Sequence, residues 1–229
     1  MDIFSLREQE IFNTIKELKH CDFVIIGGYA VNAYTLPRFS VDCDIVIRNR
    51  KKLYEIEKIL HKMNYKKLKL PPRGQYSGEF ARYEKKLDNN FRVNIDALIE
   101  HIVDRMTGVK FSAEWIFQHS GEKKLIGKTI SEELHPQIIN IDALVVMKII
   151  SCRTTDIRDV FMMLPYVKNK DRVRKEVSLL YNFKDRITKI VEKVTSKQFK
   201  DDLSGMYGHF DSKVFEKHKK ILLSLHDES

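Results

Sequence analysis

The sequence contains few cysteines, and they lie far apart along the chain. Cys21, Cys43 and Cys152 are the three, which excludes the dense disulfide framework of a small secreted domain and a zinc site built from paired thiolates. The eight histidines show no His-x-x-x-His spacing of the kind that binds zinc on a helix. We therefore expect a protein of the reducing cytoplasm.

Long apolar runs are also missing. The longest, ALVVMKII at residues 143–150, is interrupted by Lys148 and is much shorter than the roughly 20 residues that span a bilayer. Charged residues at Asp2, Arg7 and Glu8 interrupt the beginning of the sequence, so we expect no signal peptide. The sequence predicts no membrane partner.

Charge is plentiful but unevenly distributed. The chain has 41 Lys and Arg against 32 Asp and Glu, a net charge of +9. Ten of the basic residues, but only two Glu, lie between Arg48 and Arg73. This segment is either a solvated helix face with its loop or a surface that binds a phosphate backbone. On the second interpretation, the candidate nucleic-acid contacts are Arg48, Arg50, Lys51, Lys52, Lys66, Lys67 and Lys69.

The hydrophobic pattern changes character near residue 135. Before it, short apolar runs alternate with helical segments, beginning with a helix for which Ser5 and Glu8 predict a capping box. Residues 78–86 and 91–99 have the pattern of a hairpin. After it, the remaining segments all have helical periodicity. We expect an α+β protein with a domain at residues 1–135 and a helical domain at residues 136–229.

Two glycines and two aspartates follow one another in the first domain. The apolar strand DFVII ends at Gly27 and Gly28, where a helix begins; alone, such a pair is usually a turn, but it also lets the backbone approach a phosphate. Asp42 and Asp44 then lie in the next strand, VDCDIVI. Alternate residues of a strand share a face, so these two carboxylates repel each other unless a cation lies between them.

A third aspartate lies in a later apolar strand. Asp96 is in VNIDALI, between Ile95 and Ala97. A single aspartate in such a place is usually a surface residue or a strand end. Together with Asp42 and Asp44, however, it completes a set of three oxygen ligands for a hard divalent ion.

This set of motifs resembles the polymerase-β-like nucleotidyltransferase superfamily. That family has Gly-Ser after the first strand, where this chain has Gly27-Gly28, followed by Asp-x-Asp and a later Asp. The resemblance implies a nucleotidyltransferase fold, a mixed sheet flanked by helices, followed by a C-terminal helical bundle that completes the active site. It also implies Mg²⁺ or Mn²⁺ as the cofactor, held by Asp42, Asp44 and Asp96.

Two further motifs are similar to the AbiEii/MenT-type branch of that superfamily. Arg38 and Ser40 precede the carboxylates as in Arg-x-Thr-x-Asp-x-Asp, and Lys148 is followed by Arg158-Asp159. On one unbroken helix, Lys148 and Asp159 would lie about 16 Å apart. We therefore expect a break at residues 153–155, with a threonine capping the second helix. The alternative is a Lys148 that extends from an apolar helix and an Asp159 paired with Arg158.

The resemblance assigns each of these residues a role. Asp42, Asp44 and Asp96 would hold metal, with Asp96 also nearest the attacking hydroxyl as its base. Gly27 and Gly28 would hold the phosphates, Lys148 would neutralise triphosphate charge, and Asp159 would orient Lys148 or contact the nucleotide. Arg38 and Ser40 would bind the nucleotide or brace its loop.

Three functions remain open at this point. The first is transfer of a nucleoside monophosphate from an NTP to RNA, with tRNA as the acceptor in some toxin-like relatives and an antitoxin protein as a partner. The second is transfer to a small molecule such as an antibiotic, which requires an acidic or aromatic acceptor pocket. The third is a non-catalytic NTP-binding or partner-binding module, against which the presence of all three aspartates argues.

Overall fold

The computed structural model describes residues 3–69, 79–88, 91–208 and 210–227. The contacts among them divide the chain into two compact units. The first consists of the described residues within Met1–Ala33, Pro37–Arg105 and Lys110–Asn140, and the second of those within Tyr34–Leu36, Met106–Val109 and Ile141–Ser229. This division lies beyond the expected one at residue 135 because a strand at Gln137–Ile139 pairs with the sheet of the first unit.

A seven-stranded mixed sheet is the centre of the first unit. The described strands of this unit are β1 (Val24–Ile26), β2 (Asp42–Ile47), β3 (Lys66–Lys67), β4 (Glu79–Asp88), β5 (Phe91–Ile99), β6 (His101–Val103), β7 (Lys110–Ser112), β8 (Ser120–Glu122), β9 (Leu125–Ile126), β10 (Glu133–Leu134) and β11 (Gln137–Ile139). The order in the sheet is β3-β4-β5-β2-β1-β11-β8. The pairs β2–β5 and β1–β11 are parallel, and the other neighbours are antiparallel.

The central strands are apolar because both of their faces are covered. All three residues of β1 are buried, and so are Ile45, Val46 and Ile47 of β2. Such continuous apolar runs are typical of strands packed on two sides. The predicted hairpin is confirmed as β4 and β5. Polar side chains within these strands are therefore exceptions that require partners.

Among the described residues, four helices accompany this sheet. They are α1 (Ile3–Glu17), α2 (Gly27–Asn32), α3 (Arg50–Lys62) and α4 (Ala113–Gln118). The helix α3 begins at Asn49, whose side chain accepts a hydrogen bond from the Lys52 amide, and it buries Leu53, Ile56 and Leu60 at helical spacing. This apolar stripe and its cap explain both where α3 starts and which face it packs inward.

The predicted capping box of the first helix is wrong. Ser5 lies inside α1 rather than at its start. Glu8 is 1% exposed, and its carboxylate accepts hydrogen bonds from the Lys128 and Thr129 amides and from the Thr129 hydroxyl. The carboxylate therefore binds a distant segment of the same unit, because that segment provides three donors to an otherwise costly buried charge.

In the second unit, the regular secondary structure of the described residues is all helical. It contains α5 (Ile141–Ser151), α6 (Thr154–Met163), α7 (Lys170–Leu180), α8 (Phe183–Thr195), α9 (Lys197–Tyr207) and α10 (Ser212–Asp227), with a 3-10 turn at Leu164–Tyr166. Phe161 lies at the centre of its aromatic core, with its ring centroid 5.2 Å from those of Phe199 and Phe215. The predicted fold class, a mixed α+β part followed by helices, is confirmed. None of the helices among the described residues is long and apolar enough to cross a membrane.

Candidate functional site

The three predicted aspartates lie on two neighbouring strands of the first unit. Asp42 and Asp44 are half-buried and alternate with the buried Cys43 and Ile45 along β2. Asp44 is paired in register with Asp96 across the parallel β2–β5 pair. Residues paired in this way point to the same face of a sheet, so the structure brings the three carboxylates together on one face.

Arg82 supplies the positive charge beside these aspartates. Its Nε and Nη2 donate to Asp96 Oδ1 and Oδ2 at 2.8 and 2.6 Å, and Nη2 lies 3.9 Å from Asp42 Oδ2. Asp96 is fully buried, and burial raises the pKa of its carboxyl group, with the Asp42 charge adding to that increase while Arg82 opposes it. A two-pronged guanidinium–carboxylate pair of this kind fixes the side-chain orientation of Asp96.

Sequence analysis did not identify Arg82, and a bulge in the hairpin explains why. Counting back from the Asp88–Phe91 pair would place Tyr83 opposite Asp96. The register shifts by one residue between Lys86 and Asp88, so Arg82 is the residue opposite Asp96. One extra residue in a strand moves every later side chain of that strand to the opposite face. Counting residues from the turn of the hairpin does not reveal such a bulge.

The two glycines pack directly against the aspartate strand. Gly27 begins α2 with φ +66°, and a Cβ on it would lie 2.0 Å from Asp44 Oδ2. A Cβ on Gly28 would lie 2.5 Å from Ser40 Oγ. Gly27 therefore requires glycine, because its backbone is left-handed and its Cα lies against Asp44, whereas a side chain on Gly28 would have to displace the Ser40 hydroxyl.

Arg38 and Ser40 are placed beside Gly28 by a short polar network. The side chain of Asn32, at the end of α2, donates to the Arg38 carbonyl at 2.8 Å and accepts from the Arg38 amide at 3.1 Å. Arg38 is 8% exposed, and its Nη1 donates to the Phe39 carbonyl at 3.3 Å. These contacts favour the bracing role for Arg38, because they hold the chain between α2 and β2.

Only some of the oxygen atoms on this face are available as ligands for a hard divalent ion. Asp42 and Asp44 offer carboxylates, and the buried Asn94 Oδ1, in register with Asp42, has no hydrogen-bond partner among the residues that the structure describes. Mg²⁺ prefers such oxygens. Asp96, however, is already paired with the Arg82 guanidinium, and the described residues contain no group of three His, Cys, Asp or Glu arranged to hold a metal ion.

The second unit contains a compact cluster around Lys148. Its Nζ lies 2.7 Å from Asp156 Oδ1 and 2.9 Å from Asp159 Oδ2. The lysine side chain is 13% exposed and the two carboxylates less than that. Burial alone would lower the pKa of Lys148, but Asp159 and Asp156 outweigh it and raise that pKa above its ordinary value. Lys148 is therefore held as a cation between two carboxylates.

A break between two helices creates this cluster. α5 ends at Ser151, Cys152 has φ +50°, and α6 begins at Thr154. The break predicted at residues 153–155 is thus present, but the predicted threonine cap is wrong. Arg153 is the N-cap residue, and its amide donates to Asp156 Oδ2 at 3.2 Å. Asp156 was not predicted as a partner of Lys148. Its contacts with Lys148 and with the Arg153 amide depend on where the helix break lies.

Much of the predicted basic surface is paired with carboxylates. Arg48 lies 3.3 Å from Asp22 and 2.5 Å from Glu114, and the other pairs are Arg50–Glu79, Lys52–Glu55 and Lys67–Glu57. Lys51, Lys66 and Lys69 are exposed. The last basic residue of the segment, Arg73, lies outside the described residues. Four of the seven predicted nucleic-acid contacts therefore have part of their charge neutralised within the protein.

Comparison with known proteins supports the fold. No family model and no curated protein matches this sequence. Among solved structures, JHP933 from Helicobacter pylori is similar over 100% of this chain and 94% of its own, with 14% sequence identity and a TM-score of 0.50. The antibiotic-resistance factor ANT(2'')-Ia matches 82% of this chain and 95% of its own at 13% identity and a TM-score of 0.49.

A third similar structure is the lincosamide antibiotic adenylyltransferase LnuA in its lincomycin-bound form. It matches 67% of this chain and 93% of its own, at 17% identity and a TM-score of 0.41. Identities this low do not establish a shared activity or a shared substrate. What this chain does must therefore be argued from its own residues.

Proposed function

We propose that this chain transfers a nucleoside monophosphate from an NTP to an acceptor hydroxyl, with the α–β phosphoanhydride bond broken and pyrophosphate released. The observation that carries the proposal is the close packing of the Gly27–Gly28 turn on Asp44, with Asp42 and Asp96 on the same face of the sheet. Because neither glycine has a side chain, the backbone of the turn can closely approach phosphate groups beside the carboxylates, and those carboxylates suit divalent metal. Phosphoryl transfer from a triphosphate requires both a place to bind its phosphates and carboxylates that hold the metal.

Each residue of the candidate site has a separate role in this proposal. Gly27 and Gly28 bind the phosphates, with Arg38 and Ser40 supporting the turn. Asp42 and Asp44 hold Mg²⁺ or Mn²⁺, which when bound stabilises charge on the attacking and leaving oxygens. Asp96, whose burial raises the pKa of its carboxyl group, accepts the proton of the acceptor hydroxyl, and Arg82 positions it. Asp96 also remains a proposed metal ligand.

Lys148 and Asp159 have proposed roles that rest on the motif resemblance and on their own cluster. Lys148 neutralises negative charge on the triphosphate, and Asp159 orients the ammonium group. The contacts of Lys148 with Asp156 and Asp159 at 2.7 and 2.9 Å support the orienting role. In this structure the two carboxylates also neutralise the ammonium group, so its proposed contact with triphosphate rests on the motif resemblance alone.

For the acceptor we propose RNA, with tRNA as the first candidate because of the toxin-like resemblance. A small-molecule acceptor is the second candidate, favoured by the carboxylate pairing of Arg48, Arg50 and Lys67. That pairing weakens the predicted basic surface. An antitoxin partner is part of the first proposal, which predicts that induced expression arrests bacterial growth and that Asp44→Asn relieves the arrest.

One labelling experiment separates the candidate functions. The purified protein is incubated with each α-labelled NTP, Mg²⁺ and total RNA, or with a panel of aminoglycosides and lincosamides in place of RNA. Label in RNA supports the first candidate, and label in a small molecule supports the second. Label in neither, with the NTP still bound in equilibrium dialysis, would indicate a non-catalytic NTP-binding module and contradict the proposed transfer.

A further inference from the structure

A basic cavity lies within the second unit, beside the helix break that also forms the Lys148 cluster. It has a volume of about 970 Å³ and lies where the α5–α6 junction meets α8. Its charged lining consists of Arg153, Arg186, Lys189, Lys193 and one acid, Glu192. Four cations against one carboxylate give the cavity a net positive charge, which attracts a polyanion.

The basic side chains of α8 form a row along the cavity. Arg186, Lys189 and Lys193 are separated by three and four residues, the spacing that places side chains on one face of a helix. The next stripe, Ile187, Ile190 and Val194, is buried and anchors α8 in the helical unit. A row of cations fixed on a packed helix suits an extended chain of phosphates better than a single compact anion.

Arg186 is held in the cavity without using its hydrogen-bonding capacity fully. Its guanidinium lies 4.3 Å from the centroid of the Tyr181 ring, a stacking contact that fixes the guanidinium plane. Its Nε is shielded from solvent and has no hydrogen-bond partner among the described residues. The stacking on Tyr181 leaves the guanidinium charged and fixed in orientation beside the cavity.

Lys189 and Lys193 differ in their internal partners. Within the described ranges, Lys189 makes no ion pair. Lys193 lies 3.7 Å from Asp202, which is too long for a direct hydrogen bond. Arg48, Arg50 and Lys67 of the predicted basic surface instead lie 2.5–2.7 Å from carboxylates. Lys189 therefore keeps its charge for a ligand, and Lys193 is only loosely paired.

We propose that this cavity binds the phosphodiester backbone of single-stranded RNA. Phosphate contacts from Arg186, Lys189 and Lys193 provide sequence-independent affinity, as in other single-strand binding grooves. That this RNA is the acceptor of nucleotidyl transfer rests on the proposed function. Binding itself does not, and it is measured without NTP or metal, so that its failure and a failure of the proposed transfer are distinguishable.

The test is fluorescence anisotropy with a fluorescein-labelled oligouridylate of about twelve nucleotides, within the usual range of single-strand sites. Arg186→Gln/Lys189→Gln removes two charges from the cavity. Lys217→Gln/Lys220→Gln removes two charges from exposed positions on α10 and is the matched control. Lys189→Gln alone, at an exposed position, provides a variant that keeps the fold if the double substitution does not.

We expect the cavity variant to bind about tenfold more weakly at moderate salt, and the slope of log K against log salt to fall by about 1.4, or roughly 0.7 for each lost phosphate contact. The control should match the wild-type protein. Equal losses in both variants, or no loss in the cavity variant, would overturn the proposal. Binding of inorganic tripolyphosphate that depends on the cavity, without binding of the oligonucleotide, would also overturn it and assign the cavity to a free polyphosphate.

Discussion

Gly27 has no room for a side chain, and this is testable with the smallest substitution available. In Gly27→Ala the new Cβ would lie 2.0 Å from Asp44 Oδ2 at a φ of +66°. Backbone strain and the displaced carboxylate should lower the free energy of unfolding by about 1–3 kcal/mol and abolish transfer. Urea unfolding and the labelled-NTP assay measure the two effects.

Gly121→Ala is the matched control for that substitution. Gly121 lies in β8, and a Cβ on it would meet no atom within 4 Å. The control should keep both wild-type stability and wild-type activity. If Gly27→Ala behaved like the control, the close approach of the turn to Asp44 would have no functional importance.

The Lys148 cluster allows electrostatic and structural roles to be separated. Lys148→Met leaves the carboxylates of Asp156 and Asp159 buried without their cation, and breaking a buried pair in this way costs about 3–5 kcal/mol. Adding Asp159→Asn removes one of those charges, so the double variant should recover part of the lost stability. It should recover none of the transfer activity, because the cation is still absent.

Unfolding free energies and single-turnover rates of the two variants measure this prediction. If the double variant regained activity along with stability, Lys148 would be a structural residue, and its proposed contact with triphosphate would be wrong. If neither variant lost stability, the ion pairs with Asp156 and Asp159 would not be important for folding.

For single residues, the sequence indicated which side chains are unusual better than it indicated which side chains they contact. Asp42, Asp44 and Asp96 were found because a carboxylate in an apolar strand is costly and therefore conspicuous. Arg82 was missed because a one-residue bulge near Lys86 decides whether Arg82 or Tyr83 faces Asp96. Partner identity depends on register, and register depends on local irregularities that no periodicity encodes.

The helices of the second unit contain a buried histidine that makes their stability sensitive to pH. His218 of α10 is 5% exposed and its Nδ1 lies 3.0 Å from the Phe161 carbonyl. Burial lowers the pKa of His218, and nearby Lys217 lowers it further, although the Phe161 carbonyl opposes the shift. The folded chain therefore keeps this ring neutral at a pH where the unfolded chain is already protonated.

The sign of the pH effect follows from that difference. Above the unfolded pKa of about 6.5, both states carry a neutral ring, and its contribution to stability is fully present. As the pH falls through that value, the unfolded state binds a proton first and stability is lost. His218→Asn, which keeps a donor near the Phe161 carbonyl, should therefore flatten the decrease of the urea midpoint between about pH 7 and 5.

His61→Asn, at an exposed position on α3, is the control and should leave that decrease unchanged. An equal decrease in His218→Asn and in the wild-type protein would show that His218 does not contribute to it.

At the scale of the elements, the sequence indicated which segments are helices or strands better than it indicated where each one ends. The helical spacing of Leu53, Ile56 and Leu60 agrees with α3 and with its buried face. The break between α5 and α6 was expected, since Lys148 and Asp159 cannot meet on one straight helix. Its cap was wrong because Asp156, rather than a threonine, accepts the first amide. A helix cap depends on which side chain accepts a hydrogen bond from the first amides, and several polar side chains near the start of α6 could have done so.

For the whole molecule, the density of basic residues along the sequence does not show which cations stay unpaired after folding. The segment after Arg48 is rich in lysine and arginine, but its folded neighbours Glu57, Glu79 and Glu114 neutralise much of it. The row on α8 is shorter and less conspicuous in sequence, yet within the described residues its Lys189 has no ion pair and its Lys193 is only loosely paired with Asp202. Folding, which brings distant acids to some basic residues and not to others, decides which of them are available.

The most direct test of the proposed function is the transfer activity of Asp44→Asn against that of Asp201→Asn. Both substitutions remove one carboxylate, but Asp44 contacts the Gly27 turn, whereas Asp201 is exposed on α9. With α-labelled NTP, saturating Mg²⁺ and the identified acceptor, we predict that Asp44→Asn loses transfer, by at least about a hundredfold, and that Asp201→Asn keeps it. Equal activity in the two variants would contradict the assignment of this face as the site of nucleotidyl transfer.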